Sequence, residues 1–550
     1  MRGFASYPDH RPSIPSRRPL GVCPTLREVL SRTARWAVSR LLPCLLVGWL
    51  ATPAFAQLEY EDDHLQLELV PGQSIEDVNA DYGTTSTDEA GPLHLLQVPE
   101  GSTVWGVLEE MMGDPRIVWS ELSYLNQTPE ALRAMVVGVV GGTIEDYEDQ
   151  DVYGRLHLGT LHQYATGEGV IIAVLDTGVN GDHPALLGHV LPGYDFVDDD
   201  DDASDTANGI DDDVDGLVDE GAGHGTMVAG IAHLAAPGAK ILPVRVVNDE
   251  GTGLTFDVVK GILFAIEQNA DILNLSLGLH TPCEALSRGM DLASDAGMII
   301  VAAAGNTSAE NPPFFPASLP GVHGVAALDS SDVKADFSSF HPSVSVSGPG
   351  VGIRAPFLDD GWAIGAGTSF AAPFVSGQAA IIAGVTPALT KTEADGIVRD
   401  GVVDVYQIPE NFPFYGKLGP GRIDGIETWN SLRSLTDVVP GTGPESPGAT
   451  GDGPRVVVMP NPSPVASDVV LSLRLDGPPA SAISSNRQPW TVMDVNGRLV
   501  RSLEPQAVGK AGWTVVWNGR DATGRLLPSG LYFVRGGAGV LPTRVLRIQR

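Results

Sequence analysis

Hydrophobic positions follow two rhythms along this chain. Between about residues 64 and 125 they alternate. Leu65, Leu67 and Leu69 are separated by polar residues, which puts them on one face of a half-buried strand. Pro71-Gly72 breaks that run, and Ser74 with Asp77 three residues later reads as a helix N-terminal cap. A second round follows, with 94–98 as strand, Gly101-Ser102 as break, 103–112 as helix and 116–122 as strand. This repeated alternation of strand and helix predicts a small α+β unit of ferredoxin-like type. Residues 126–150 are less regular and acidic, and read as a cleavable junction closing a unit of residues 57–150.

From 151 to 435 the rhythm changes. Short runs rich in β-branched residues (170–175, 241–247, 272–277, 298–304) alternate with helix-like stretches (227–234, 255–268, 284–296). The alternation predicts an α/β domain, a parallel sheet with helices on both faces. Active residues of such folds gather at the carboxyl ends of the strands, and Asp176 and Asn306 sit where such runs end. Residues 436–455 are rich in Gly and Pro and read as a linker. Residues 456–550 carry strand-like runs at 469–475, 490–494 and 513–517, with turn signals at Asn496-Gly497 and Asp521 to Gly524. That spacing predicts an all-β sandwich.

Residues 1–56 follow neither rhythm. Arg27, Arg32, Arg35 and Arg40 precede an apolar run at 41–50 that is too short to span a bilayer, and Ala54-Phe55-Ala56 offers small residues for cleavage. This predicts a signal peptide over 1–56 and a secreted or cell-surface product. The 550-residue chain has a formal charge of −34, with 34 basic and 68 acidic residues. Without the eight Arg and two acids of residues 1–56 the charge becomes −40. Such a charge disfavours nucleic acid and anionic membranes, and favours cations. Cys23 and Cys44 fall in the signal segment, so Cys283 alone remains and no intramolecular disulfide forms after processing.

Four short segments carry candidate chemistry. Asp176 ends a buried run, His224 stands between Gly223 and Gly225, and Ser369 follows Gly367-Thr368 and opens an apolar stretch of helical length at 370–385. A serine hydroxyl needs a base to take its proton, an acid to orient that base, and donors for the oxyanion that develops. A serine at a helix N-terminus exposes its hydroxyl and turns its own N–H toward that oxyanion. Asn306, in Ala303-Ala304-Gly305-Asn306, supplies a side-chain donor.

These segments resemble those of the subtilisin-type serine peptidases, the subtilase superfamily. The match runs over Ala173-Val174-Leu175-Asp176-Thr177-Gly178, Gly223-His224-Gly225-Thr226, Ala303-Ala304-Gly305-Asn306 and Gly367-Thr368-Ser369-Phe370-Ala371-Ala372-Pro373. The resemblance implies Ser369 as nucleophile, His224 as general base, Asp176 as its orienting partner and Asn306 as oxyanion donor. It implies that a protein or peptide substrate lies between an edge at Gly251, Gly253 and Leu254 and one at Ser276, Leu277 and Gly278. The latter, with Ala303, Ala304 and Gly305, would wall the main specificity pocket. The walls are small and uncharged, giving an expectation of an apolar or aromatic residue before the scissile bond. Phe370 stands where the family commonly has Met, an oxidation target, so tolerance to peroxide is expected. The 57–150 unit resembles a subtilase prodomain, which implies an intramolecular inhibitor and a self-processed zymogen. The carboxyl-terminal stretch resembles immunoglobulin-like domains of flagellar hook-capping type, through Pro460-Asn461-Pro462, Trp517-Asn518-Gly519-Arg520-Asp521 and Ser529-Gly530-Leu531-Tyr532. It implies contact with a cell surface or secretion machinery.

Between Asp176 and His224 lies an acidic insertion. Asp211, Asp213 and Asp215 alternate, and Gly216 permits the sharp turn of a calcium loop. Oxygen ligands without Cys or His suit Ca²⁺ better than zinc. The twelfth loop position is Ala222 rather than Glu, leaving Asp219 or Glu220 to substitute.

Overall fold

The computed structural model describes residues 60–131, 138–211, 216–385 and 389–436, and beyond them eight strands and a short turn between 455 and 548. The expected signal segment, and residues 437–454 of the expected linker, lie outside the described residues. The chain divides into two compact units, Met1–Val439 and Pro440–Arg550.

The first unit begins with an antiparallel sheet. Its strands lie in the order Thr85–Ala90, Leu93–Gln97, Tyr60–Leu69, Ile117–Gln127. Helices Ile75–Tyr82 and Val104–Met111 start where Ser74 and Thr103 accept the N–H groups of Asp77 and Gly106. These side chains satisfy donors that the first helical turn leaves free. Leu65, Leu67 and Leu69 pack against Val78, Val107 and Met111 of the two helices. Strand Thr85–Ala90 was not expected from the sequence. It lies at the sheet edge and buries only Ala90, so no apolar alternation marks it.

The opposite face of this sheet lies on two helices of the following domain. Glu121 accepts the N–H groups of Glu284 and Ala285, both at 2.9 Å, and so caps helix Glu284–Asp295. Lys260, on helix Thr255–Glu267, reaches Asp88 at 2.6 Å.

The larger sheet has nine strands. From one edge it runs Val402–Val403, Arg422–Ile423, Val344–Pro349, Val322–Leu328, Ile299–Ala303, Ile272–Leu275, Ile171–Asp176, Lys240–Arg245 and Tyr194–Asp195. The pairs are parallel except at the Val402–Val403 edge. Alternation along strand Ile171–Asp176 builds two cores. Ile172 and Val174 face helices His224–Ala235 and Thr368–Val385, while Ala173 and Leu175 face Thr255–Glu267 and Glu284–Asp295. A strand buried on both faces reads as a continuous apolar run, which is why 170–175 was legible. Helix Thr368–Val385 is long and apolar enough to cross a membrane, but 83% of it is buried as the core helix of this layer.

The second unit holds two four-stranded antiparallel sheets. Strands expected at 469–475, 490–494 and 513–517 occur as Leu471–Asp476, Trp490–Asp494 and Gly512–Trp517. The Asn496-Gly497 turn lies outside the described residues.

Candidate active site

Asp176 is the last residue of strand Ile171–Asp176 and is wholly buried. Its Oδ1 accepts the Thr177 N–H at 2.9 Å and lies 2.6 Å from His224 Nδ1. His224 opens helix His224–Ala235, and both flanking glycines are required there. Gly223 has φ +85°, and a Cβ on it would strike the Phe357 ring. A Cβ on Gly225 would overlap the Gly178 carbonyl, while the Gly225 N–H donates to Thr177 Oγ1 at 2.9 Å. The turn after Asp176 is thereby tied to the helix that carries His224.

Ser369 lies in the first turn of helix Thr368–Val385, which starts two residues before the expected 370–385 stretch. Pro373 has no N–H to offer the Ser369 carbonyl four residues earlier. Ser276 Oγ donates to that carbonyl at 3.0 Å instead, so one wall of the expected pocket supports the backbone of Ser369. Asn306 Oδ1 accepts from Thr368 N and Oγ1, both at 3.0 Å. Those donors identify Oδ1 as the acceptor and make Nδ2 the donor of this side chain. The structure thus brings Asp176, His224, Asn306 and Ser369 together. The Phe370 ring packs 5.5 Å from the His224 ring.

A fifth residue enters the site, and sequence reasoning missed it. Glu130 Oε2 accepts from Ser369 Oγ at 2.6 Å and from His224 Nε2 at 3.1 Å, and Oε1 accepts from Asn306 Nδ2 at 2.9 Å. One carboxylate therefore holds nucleophile, base and oxyanion donor. A Cβ on Gly367 would overlap Oε1, so the carboxylate fills the space which that glycine leaves open.

Glu130 arrives along the expected substrate edges. Leu125, Asn126 and Gln127 pair with Leu254, Gly253 and Thr252. Gln127 and Gly278 exchange two backbone hydrogen bonds of 2.9 Å, and Thr128 N–H donates to Gly251 O at 2.9 Å. The chain then turns at Pro129 and Glu130, so a side-chain carboxylate rather than a peptide carbonyl faces Ser369.

Burial alone would lower the His224 pKa. The Asp176 and Glu130 carboxylates outweigh it and push the imidazole up to about 10. Asp205, also missed, is buried with its carboxylate accepting from Thr177 Oγ1 at 3.1 Å, Gly223 N at 2.9 Å, Thr226 N at 3.0 Å and Thr226 Oγ1 at 2.7 Å. Burial pushes it up to about 6, against the pull of those donors. It joins the loop after Asp176 to the start of the His224 helix. The insertion separates it from His224 in sequence, so no local motif marks it.

The specificity walls hold a third missed residue. Phe314 is 2% exposed and its ring lies between the two wall glycines. A Cβ on Gly278 would come within 2.8 Å of the ring, and one on Gly305 within 3.1 Å.

In the acidic insertion, Asp213 and Asp215 lie outside the described residues. Asp211 Oδ2 accepts from Gly216 N at 3.0 Å. Asp219 accepts from Asn208 N at 3.1 Å and from Gly209 N at 2.8 Å. Asn208 N also reaches Asp249 at 3.1 Å, and burial together with Asp219 raises the Asp249 pKa. Among the described residues, no three His, Cys, Asp or Glu side chains gather as a metal cluster. Asp219 of the insertion and Asp249, which follows strand Lys240–Arg245, thus face each other.

Comparison with known proteins agrees with this geometry. The subtilase family profile, peptidase S8, matches residues 167–409. Thermitase from Thermoactinomyces vulgaris is 36% identical over 229 residues, covering 40% of this chain and 76% of that protein. A thermophilic serine proteinase from Bacillus sp. strain AK1 is 39% identical over 225 residues; the match spans 39% of this chain and about half, 52%, of the relative. Among solved structures, fervidolysin from Fervidobacterium pennivorans, described as a keratinolytic enzyme related to subtilisin, shares the fold. Its TM-score is 0.56 at 21% identity, covering 86% of this chain and 71% of that one.

Proposed function

This chain belongs to the subtilase family of serine peptidases, and from that premise we propose that it is an exported serine endopeptidase made as a self-processed zymogen. The observation that carries the reading is the convergence of Ser369 Oγ, His224 Nε2 and Asn306 Nδ2 on one carboxylate, with Asp176 behind the imidazole. With a peptide carbonyl in place of that carboxylate, Ser369 Oγ attacks the carbonyl carbon as His224 Nε2 takes the hydroxyl proton. The oxyanion of the tetrahedral intermediate is held by Asn306 Nδ2 and the Ser369 backbone N–H. His224 returns the proton to the leaving amine, and the C–N bond breaks to give an acyl-enzyme. Water, activated by the same imidazole, then releases the acid. Asp176 fixes the tautomer and stabilises the imidazolium throughout.

The same contacts support the zymogen reading. The small α+β unit leads into a strand that fills the substrate edges, and Glu130 stands between base and nucleophile. In this reading residues 57–150 are the intramolecular inhibitor, and Glu130 must leave before a substrate enters. Export rests on the basic and apolar pattern of residues 1–56. The carboxyl-terminal β unit is proposed to contact a cell surface or secretion machinery.

Calcium is proposed as a structural ion of the acidic insertion, with Asp211 and Asp219 among its ligands together with Asp213 and Asp215. A bound ion would brace the loop between Asp205 and His224. Excess chelator is expected to lower the melting temperature by several degrees; an unchanged value would remove calcium from the account. The peptidase itself is tested by treating the processed protein with a fluorophosphonate probe and sequencing its amino terminus. Label on Ser369, and a start within or just after the junction, are expected. Folded, processed protein that takes no label would overturn the reading.

A further inference from the structure

The expectation of an apolar or aromatic residue before the scissile bond rests on the walls alone, and the space between those walls is not empty. We propose that Phe314 sets the depth of this pocket, so that the enzyme cuts after small residues such as Gly, Ala or Ser. The inference rests on the serine endopeptidase reading and names the substrate class of that site.

The two walls leave the ends of adjacent parallel strands, Ile272–Leu275 and Ile299–Ala303, and carry glycine on both sides at Gly278 and Gly305. Glycine opposite glycine makes a slot wide enough for a flat side chain. Here the chain fills the slot itself. The Phe314 ring reaches both glycines, so closely that a methyl group on either would press against it.

The ring is held from three sides. Phe315 forms an antiparallel bridge with Leu279, through bonds of 3.0 Å and 2.8 Å, which registers Phe314 beside Gly278. The His280 ring meets Phe314 edge-on at 5.0 Å and 61°, and its Nδ1 lies 3.3 Å from the Pro313 carbonyl. Beyond the ring, toward Phe340 and Ala317, the remaining cavity is about 10 Å³. That is room for one water at most, so no space for a second aromatic ring lies ready beside it. A ring packed between the two glycines leaves a shallow recess at the mouth rather than a deep pocket. Both wall segments are uncharged, so the recess offers no partner to a charged residue.

The test uses the processed enzyme and a peptide library varied only at the residue before the scissile bond. For the wild type, kcat/KM for Ala is expected to exceed that for Phe or Leu by about tenfold or more, the scale on which a pocket resolves methylene groups. Phe314→Gly is expected to invert the order, chiefly by raising kcat/KM for Phe and Leu. Removing a buried ring destabilises the fold, so Phe314→Leu serves as a second variant, with an intermediate shift toward Val and Leu. A wild type that prefers Phe, or variants that keep the wild-type profile, would overturn the proposal. Fluorophosphonate labelling of the same samples separates the two readings. A labelled enzyme with an unmoved profile defeats the role of Phe314, whereas no label and no cleavage in the wild type defeats the peptidase itself.

Discussion

Two carboxylates grip His224 at opposite ring nitrogens, and they reach it by different routes. Asp176 meets Nδ1 at 2.6 Å from the end of a strand flanked on both sides by parallel neighbours. Glu130 meets Nε2 at 3.1 Å from a turn that follows a short strand laid into the substrate cleft. The first is fixed by the buried core of the sheet and cannot leave without unfolding it. The second is fixed by edge pairing and a few side-chain bonds, which a local opening releases. On the proposed zymogen reading, one imidazole has a permanent partner for chemistry and a removable partner that occupies the place of the substrate.

Substitutions at the two sides of the ring should separate these roles. Asp176→Asn in the processed enzyme is expected to cost about 10⁴-fold in kcat, since the amide holds the wrong tautomer. A loss below tenfold would mean that Asp176 does not orient the base. Asn306→Ala should lower kcat by about 10²–10³-fold with KM little changed, as measured on a single peptide substrate. On the other side of the ring, Glu130→Gln should gain rather than lose. Labelling of Ser369 in the uncleaved chain should rise by about tenfold at neutral pH, since a neutral amide pairs less well with the imidazolium.

The pH dependence of this contact has a definite sign. The docked carboxylates raise His224 from its ordinary 6.5 to about 10, so they favour the protonated ring. That stabilisation is whole below about 6.5 and is lost as pH rises through about 10. Uncleaved wild-type chain should therefore open as the solution becomes alkaline, and Glu130→Gln should flatten the dependence. Asp205 titrates near 6 and Asp257, close to Asp88 and Glu61 of the small unit, near 7, so the rise from about pH 8 to 10 is the part that reports His224. The smallest effect belongs to Asp205 itself. Asp205→Ala would leave the Gly223 and Thr226 N–H groups without their acceptor, at about 1–3 kcal/mol of stability. A melting temperature within a degree of wild type would deny it a role in placing His224.

The same contrast explains what the chain reveals before folding. Asp176, His224, Asn306 and Ser369 are legible because local chemistry marks each one. One ends an apolar run, one sits between obligate glycines, one closes a strand turn and one opens a helix. The parallel sheet is legible because its strands are buried on both faces. Glu130, Asp205 and Phe314 carry no such mark. Glu130 acts through a cleft assembled from segments more than a hundred residues away. Asp205 is displaced from the histidine motif by the acidic insertion. Phe314 matters only because folding brings two distant glycines to its ring. Strand Thr85–Ala90 escaped for a related reason, because an edge strand with polar faces needs its neighbour to define it.

The most direct measurement is the rate of fluorophosphonate labelling at Ser369 in freshly purified, uncleaved chains, wild type against Glu130→Ala, at pH 7. A complete catalytic centre held shut by Glu130 should label about tenfold or more faster in the variant, and faster still in the processed enzyme. Equal rates in the two uncleaved chains, with the processed enzyme fully reactive, would contradict it.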